Sequence, residues 1–417
     1  MPDMKRSFIA LDGLRGIAAL VVVLHHSGYF FGYVVPEGYL AVDFFYVLSG
    51  FVLAHAYGHQ LTHGMTARRF MAIRLIRFYP LYLLAFTAWL PIGWAELVHG
   101  HVDPRMLAID VATALLFLPS PLSTDPYPIN APTGTLFYEL LVNAGLGLFA
   151  RRLSNTVLVV LIVAAGLVLL TCAIVNGDLS DGNLWRTFFV GCARVAFSFP
   201  AGILVYRIWL ARKLPVNAPV ALVAVALLMV LAARPPQSYQ GLFDAVACVV
   251  VFPTLIWIGA SSKPRPAAAE ICKWLGAISY AVYVLHFPML TLAIKLAQRH
   301  SGLNVWPIGA VFVALVVVAA HLADRFYDGP VRRKLGAMLQ RSEGLTMDRL
   351  IGAVRFAYGR APAPNETAWH EWNALCWPVR TVDGELTLGR VWRRRNGALW
   401  EYRERPDRPN DRLDRAY

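Results

Sequence analysis

Charge is what this sequence has least of. Only 16% of its 417 residues are Asp, Glu, Lys or Arg, while 57% are hydrophobic. A soluble domain carries about 25% charged residues, so the main body is neither a simple soluble enzyme nor a disordered chain. The deficit is also uneven. Residues 1–330 hold 37 charged positions, whereas the 87 residues of 331–417 hold 28. Cysteine is scarce as well: five residues (172, 192, 248, 272, 376), with no C-x-x-C pair. That excludes a disulfide scaffold, and the expectation is no metal site. The first apolar stretch carries Asp12 and Arg15, which a signal-peptide core does not tolerate. No internal repeat of fixed period is evident.

What is present is apolar sequence in long runs. A spanning helix needs roughly 20 mostly apolar residues. Ten segments qualify: about 8–27, 39–57, 76–95, 133–150, 155–175, 187–208, 217–233, 241–260, 273–296 and 306–326. An eleventh, about 106–118, is short, contains Asp110 and precedes the Pro-rich run PSPLSTDPYPINAP. If it does not span, the loops on the N-terminal side hold seventeen Lys and Arg against four on the other. If it spans, that bias collapses. Positive charge concentrates in cytoplasmic loops, so the expected architecture is an all-α polytopic membrane protein of about ten transmembrane helices. Both termini are then cytoplasmic, and 96–132 is a long loop on the opposite side. The net charge of +13 thus reads as a topology signal, not as a nucleic-acid surface.

The organisation expected is a membrane domain over 1–340, a linker and helix over 341–365, and a small cytoplasmic module over 366–417. GRAPAPNE (359–366) is the break. Asp383-Gly384 and Asn396-Gly397 are hairpin-turn pairs between β-prone runs. They predict a three-stranded meander at about 376–403, packed on a helix at about 346–358 or on an unknown cytoplasmic protein partner.

Ionisable side chains within a span are costly and therefore functional candidates. In the first span these are Asp12, Arg15 and His26. Arg15 and His26 are eleven residues apart, roughly 20° past three full turns, so they share one face about 16 Å apart along the axis. Asp12 stands three residues before Arg15 and is placed to pair with it. His26 is either a general base near neutral pH or an interfacial residue. Asp43 opens the second span, where a carboxylate either orients His26 or caps the helix. Arg74 and Arg77 lie at i, i+3 and face one way. Two guanidiniums there suit a phosphate-bearing ligand, or else anchor the topology with Arg68 and Arg69. Glu139, Arg194 and His286 lie in the fourth, sixth and ninth spans and are expected to face the bundle interior, where mutual pairing is the plain alternative.

Together these segments resemble the acyltransferase-3 family of integral membrane acyltransferases. LDGLRGIAALVVVLHH matches its Arg-x10-His signature. GYLAVDFFYVLSGFVLAHAY resembles its second-helix motif, and RFMAIRLIRFYPLYLL its Arg-x-x-Arg, Tyr-Pro motif. ARVAFSFPAGILVYR and LGAISYAVYVLHFPML resemble later helices in the same order. The resemblance covers about 5–335. It implies transfer of an acyl group, most often acetyl from a coenzyme A thioester, to a hydroxyl of a cell-envelope or exported glycan. The site residues it implies are His26, Arg15, Asp43 and Glu139 for catalysis and Arg74 and Arg77 for the donor's phosphates, with Asp12, Arg194 and His286 as further candidates. No bound cofactor is implied, acyl-coenzyme A being a co-substrate, and the setting is a bacterial inner membrane. Asn130, Pro132, Thr135, Leu136 and Glu139 fit a further family segment, in which Gly134 replaces the usual Trp. The rival expectation is a polytopic transporter or flippase of a glycan or lipid-linked substrate. Its inverted repeats with broken helices are not evident.

Overall fold

The computed structural model describes residues 8–180, 182, 184–212, 218–299, 304–341, 375–380, 386–393 and 399–403. The chain divides into two units, 1–61 with 66–333, and 62–65 with 334–417. In the second, three strands, Leu375–Arg380, Leu386–Arg393 and Leu399–Arg403, pair antiparallel in chain order. The hairpin turns between them, and the expected helix at 346–358, lie outside the described residues.

The first unit is helical. Its main helices are α1 (Ile9–His26), α2 (Ala41–Thr62), α3 (Ala67–Val98), α4 (Pro104–Leu115), α5 (Pro132–Phe149), α6 (Asn155–Asn176), α7 (Phe188–Ala211), α8 (Val220–Leu231), α9 (Gln237–Ser261), α10 (Pro266–Arg299) and α11 (Val305–Ala323). Their starts follow local chemistry. Asp103 caps α4 by accepting from Arg105 N at 2.9 Å, with Pro104 in the first turn. Ser154 and Asn304 cap α6 and α11. Gly177 ends α6 in the left-handed region at φ +83°.

Eight of these helices, α1, α2, α3, α6, α7, α9, α10 and α11, are long and apolar enough to cross a membrane, and the chain is an integral membrane protein. All ten expected segments are helical, but two differ from the rest. Helix α5 dilutes its apolar residues with Thr133, Thr135, Glu139 and Asn143. Helix α8 has twelve residues, about 18 Å of rise against a hydrocarbon core of roughly 30 Å. The segment near 106–118 is the twelve-residue α4, equally short.

Helices approach closely where side chains are smallest, as expected when packing rather than water exclusion drives association. A Cβ on Gly13 would meet Cys272, and one on Gly276 would meet Asp12, so α1 lies directly on α10. Gly50 of α2 faces the carbonyl of Phe199, and Gly202 of α7 that of Val47, backbone against backbone. Around the α1–α10 seam a core of Ala19, Val23, Leu81, Tyr82, Leu285 and Val316 is fully or nearly fully buried.

Candidate active site

Helices α1 and α10 run in the same direction, because the partners of successive α1 residues ascend along α10. Arg15 donates from Nε to Ser279 Oγ at 2.9 Å and from Nη2 to the Gly276 carbonyl at 2.9 Å. Eleven residues on, His26 Nδ1 lies 3.3 Å from His286 Nε2. The shared face read from the spacing of Arg15 and His26 is therefore the face turned to α10. Asp12 pairs with Arg15 at 3.0 Å, as its i−3 position predicts.

Arg15 also lines a cavity of about 220 Å³. Arg74 and Arg77 of α3, Ser49 and Tyr46 of α2, Glu139 and Thr135 of α5, and Ser279, Tyr280 and Tyr283 of α10 complete its polar wall. Arg68 and Arg69 are exposed, while Arg74 and Arg77 turn inward. Each inward cation meets a carboxylate. Arg74 Nη2 lies 3.1 Å from Glu139 Oε1, which also accepts from Ser49 Oγ at 2.7 Å. Arg77 Nη1 lies 3.5 Å from Asp328 Oδ2, and the same oxygen is 2.9 Å from Arg332 Nε. Asp328 is fully buried and closes the π-helical stretch Asp324–Asp328 after α11. Wide turns of this kind recur at functional sites.

Beyond the cavity the polar line continues. Thr135 Oγ1 donates to Pro132 O at 2.9 Å, so it must accept from Tyr283 Oη at 2.6 Å. The Tyr283 ring lies 6.0 Å from that of His286, and the His286 ring 5.2 Å from that of His26. His286 is fully buried, whereas His26 is exposed. Residues 276, 279, 283 and 286 thus form one stripe of α10 that serves both ends of the site. Their i, i+3, i+7, i+10 spacing is a helical-face signal, one that finds Ser279 and Tyr283, which were not among the expected site residues.

Asp43 corrects an expectation. Its carboxylate neither orients His26 nor caps α2. It takes Arg194 on both oxygens, at 3.2 Å from Nε to Oδ1 and 2.5 Å from Nη2 to Oδ2. Arg194 Nη2 also donates to the Tyr39 carbonyl at 3.0 Å. A guanidinium offers five donors in a fixed fork, and in an apolar bundle a carboxylate is drawn to that charge before a neutral ring. His286 stands where Asp43 was expected. At Gly134 a Cβ would lie 2.8 Å from the Tyr127 ring, so Tyr127 fills the space a side chain there would need. Among the described residues no group of three His, Cys, Asp or Glu is placed to hold a metal.

The fold is a membrane-embedded helical bundle that encloses two linked polar sites. The acyltransferase-3 family model, described as an acyltransferase domain, matches residues 8–323, and the chain belongs to that family of acyl-transferring enzymes. "Protein 2 in picA locus" of Rhizobium radiobacter is 40% identical over 181 residues, 40% of this chain and 94% of that protein. The peptidoglycan O-acetyltransferase OatA of Listeria monocytogenes is 22% identical over 355 residues, 78% of this chain and 56% of that protein. The putative membrane-bound transacylase BcsY of Komagataeibacter xylinus is 28% identical over 340 residues, 75% of this chain and 80% of that protein. The chain therefore spans little more than half the length of the peptidoglycan O-acetyltransferase it matches. No solved structure matches.

Proposed function

We propose that the chain moves an acyl group, acetyl foremost, from acyl-coenzyme A to a hydroxyl of a cell-envelope or exported glycan. The observation that carries this reading is the division of labour along one seam: an arginine-lined cavity at Arg15, and an exposed imidazole about 16 Å further along the same helix. The cavity of about 220 Å³ is smaller than the roughly 300–1,000 Å³ of a drug-sized ligand pocket. It suits one arm of a donor rather than a whole nucleotide. Arg74 and Arg77 hold the donor's phosphates, and Arg15 faces the arm that carries the thioester. The acceptor hydroxyl approaches from the exposed side of His26. Its proton passes to His26 Nε2, its oxygen attacks the thioester carbon, the C–S bond breaks, and the sulfur leaves with that proton. The setting is the bacterial inner membrane, with both termini cytoplasmic.

His26→Ala tests this reading in purified protein. Expected is loss of thiol release from acetyl-coenzyme A in the presence of a glycan acceptor, by at least about 100-fold, with the donor still bound. Near-normal turnover in that variant removes His26 as the base. Failure of the wild-type protein to consume acyl-coenzyme A with glycan hydroxyl acceptors overturns acyl-coenzyme A as the donor.

A further inference from the structure

The two imidazoles at the end of the α1–α10 seam constrain each other's protons. A carbonyl oxygen only accepts, so a ring nitrogen bonded to one carries the hydrogen. His286 Nδ1 lies 2.6 Å from the Tyr283 carbonyl. In the neutral ring Nδ1 is therefore the donor, and Nε2 bears a lone pair. His26 Nδ1 lies 3.0 Å from the Val22 carbonyl, so it too carries the hydrogen, and that hydrogen also faces His286 Nε2 at 3.3 Å. Both assignments agree: His26 donates, and His286 accepts. His26 Nε2 is left bare, with no hydrogen-bond partner among the described residues.

The backbone around His286 is built to hold this arrangement. Pro288 has no N–H to offer the carbonyl four residues back, which is that of Val284. Asn130 Nδ2 donates to this carbonyl at 3.3 Å instead. Asn130 is 1% exposed and precedes α5, so the Pro-rich loop is pinned to α10 two residues before His286. Tyr283, whose carbonyl anchors the His286 ring, is itself tied to Thr135.

We propose that His286 is the positioning residue of His26. It accepts a hydrogen bond from His26 Nδ1, keeps the imidazole in the tautomer whose Nε2 is free for the acceptor hydroxyl, and shares the positive charge when that nitrogen is protonated. A carboxylate performs this task in a Ser-His-Asp triad; in this bundle it falls to a neutral, buried ring. No atom is exchanged between the two rings in the resting protein. The proton stays at His26 Nδ1 and the second ring holds it there. The catalytic consequence rests on the acyltransfer reading above; the tautomers do not.

Two measurements test the proposal. In the full-length protein with ¹⁵N-labelled histidine, His286 is expected to show a protonated Nδ1 and a bare Nε2, its signals assigned by their loss in His286→Gln. A protonated His286 Nε2 overturns the proposal whether or not turnover is ever detected. In the acylation assay, His286→Ala is expected to lower kcat about 100-fold, with the KM for acetyl-coenzyme A within about twofold because the arginine cavity is untouched. His286→Gln places an amide oxygen where Nε2 stood and is expected to recover turnover to within about tenfold of the parent. Normal turnover in His286→Ala, or no recovery in a His286→Gln variant that still binds donor, overturns the proposal. Activity in the parent and its loss in His26→Ala, measured alongside, keep either result separate from failure of the acyltransfer reading.

Discussion

The carboxylate of Asp43 had two tasks open to it at the start of α2, helix cap or histidine partner, and takes a third. It is 0% exposed and pairs with an arginine 151 residues away in sequence. Nothing local announces such a pair, since α2 and α7 become neighbours only when the bundle forms. The same holds for His286, 260 residues from His26. Asp12 with Arg15 was legible because one rigid helix fixes their separation. A buried ion pair is weak evidence for stability while intact, but removing one partner strands the other and costs roughly 3–5 kcal/mol. Asp43→Ala is therefore expected to lower the thermal unfolding midpoint in detergent sharply. Combining Asp43→Leu with Arg194→Met is expected to recover most of the loss. An Asp43→Ala protein as stable as its parent contradicts a pair that holds α2 on α7.

At the scale of the element, glycine rather than bulk decides which helices touch. Gly202 of α7 lies against the Val47 carbonyl of α2, and Gly50 of α2 against the Phe199 carbonyl of α7. The atoms a new Cβ would strike are backbone, which cannot swing aside as a side chain can. Gly202→Leu should therefore push α2 and α7 apart, at a cost of about 1–3 kcal/mol or more. The Asp43–Arg194 pair lies along the same seam and should loosen with it. Gly145 has nothing within 4 Å of its Cβ position, so Gly145→Leu is the control. Equal unfolding midpoints for the two variants would show that the seam is not closely packed. Apolar length made each helix legible in the sequence, whereas the seams were not: Gly13, Gly50 and Gly202 read alike until their partners are known. The π-helical stretch at Asp324–Asp328 was equally silent, because a wide turn has no composition of its own.

At the scale of the whole membrane unit, helix directions bear on the number of crossings. Along α2, Asp43 meets Arg194 and His55 meets Tyr206, so α7 runs parallel to α2. Tyr46 meets Thr135 and Ser49 meets Glu139, so α5 runs parallel to α2 as well. If α1 leads outward and α2 inward, α3 leads out, α5 in, α6 out and α7 in. If α5 did not cross, α7 would run opposite to α2. Helix α8 follows the same logic. Its last carbonyl, that of Leu231, accepts from Glu37 N at 3.1 Å, in the loop joining α1 to α2, while α7 ends at the other face. Helices α5 and α8 then cross despite falling outside the eight that length and apolarity single out, and the ten-crossing reading gains support. It puts Arg151, Arg152, Arg207 and Arg212 at one face, which is the cytoplasmic one if positive charge sets the orientation. Thiol labelling can decide the matter. In a chain whose five native cysteines are replaced by alanine, Ser180→Cys is expected to react with a membrane-impermeant maleimide in intact cells. Arg152→Cys is expected to react only after lysis. Eight crossings, with α5 and α8 lying within one leaflet, predict the reverse at both positions.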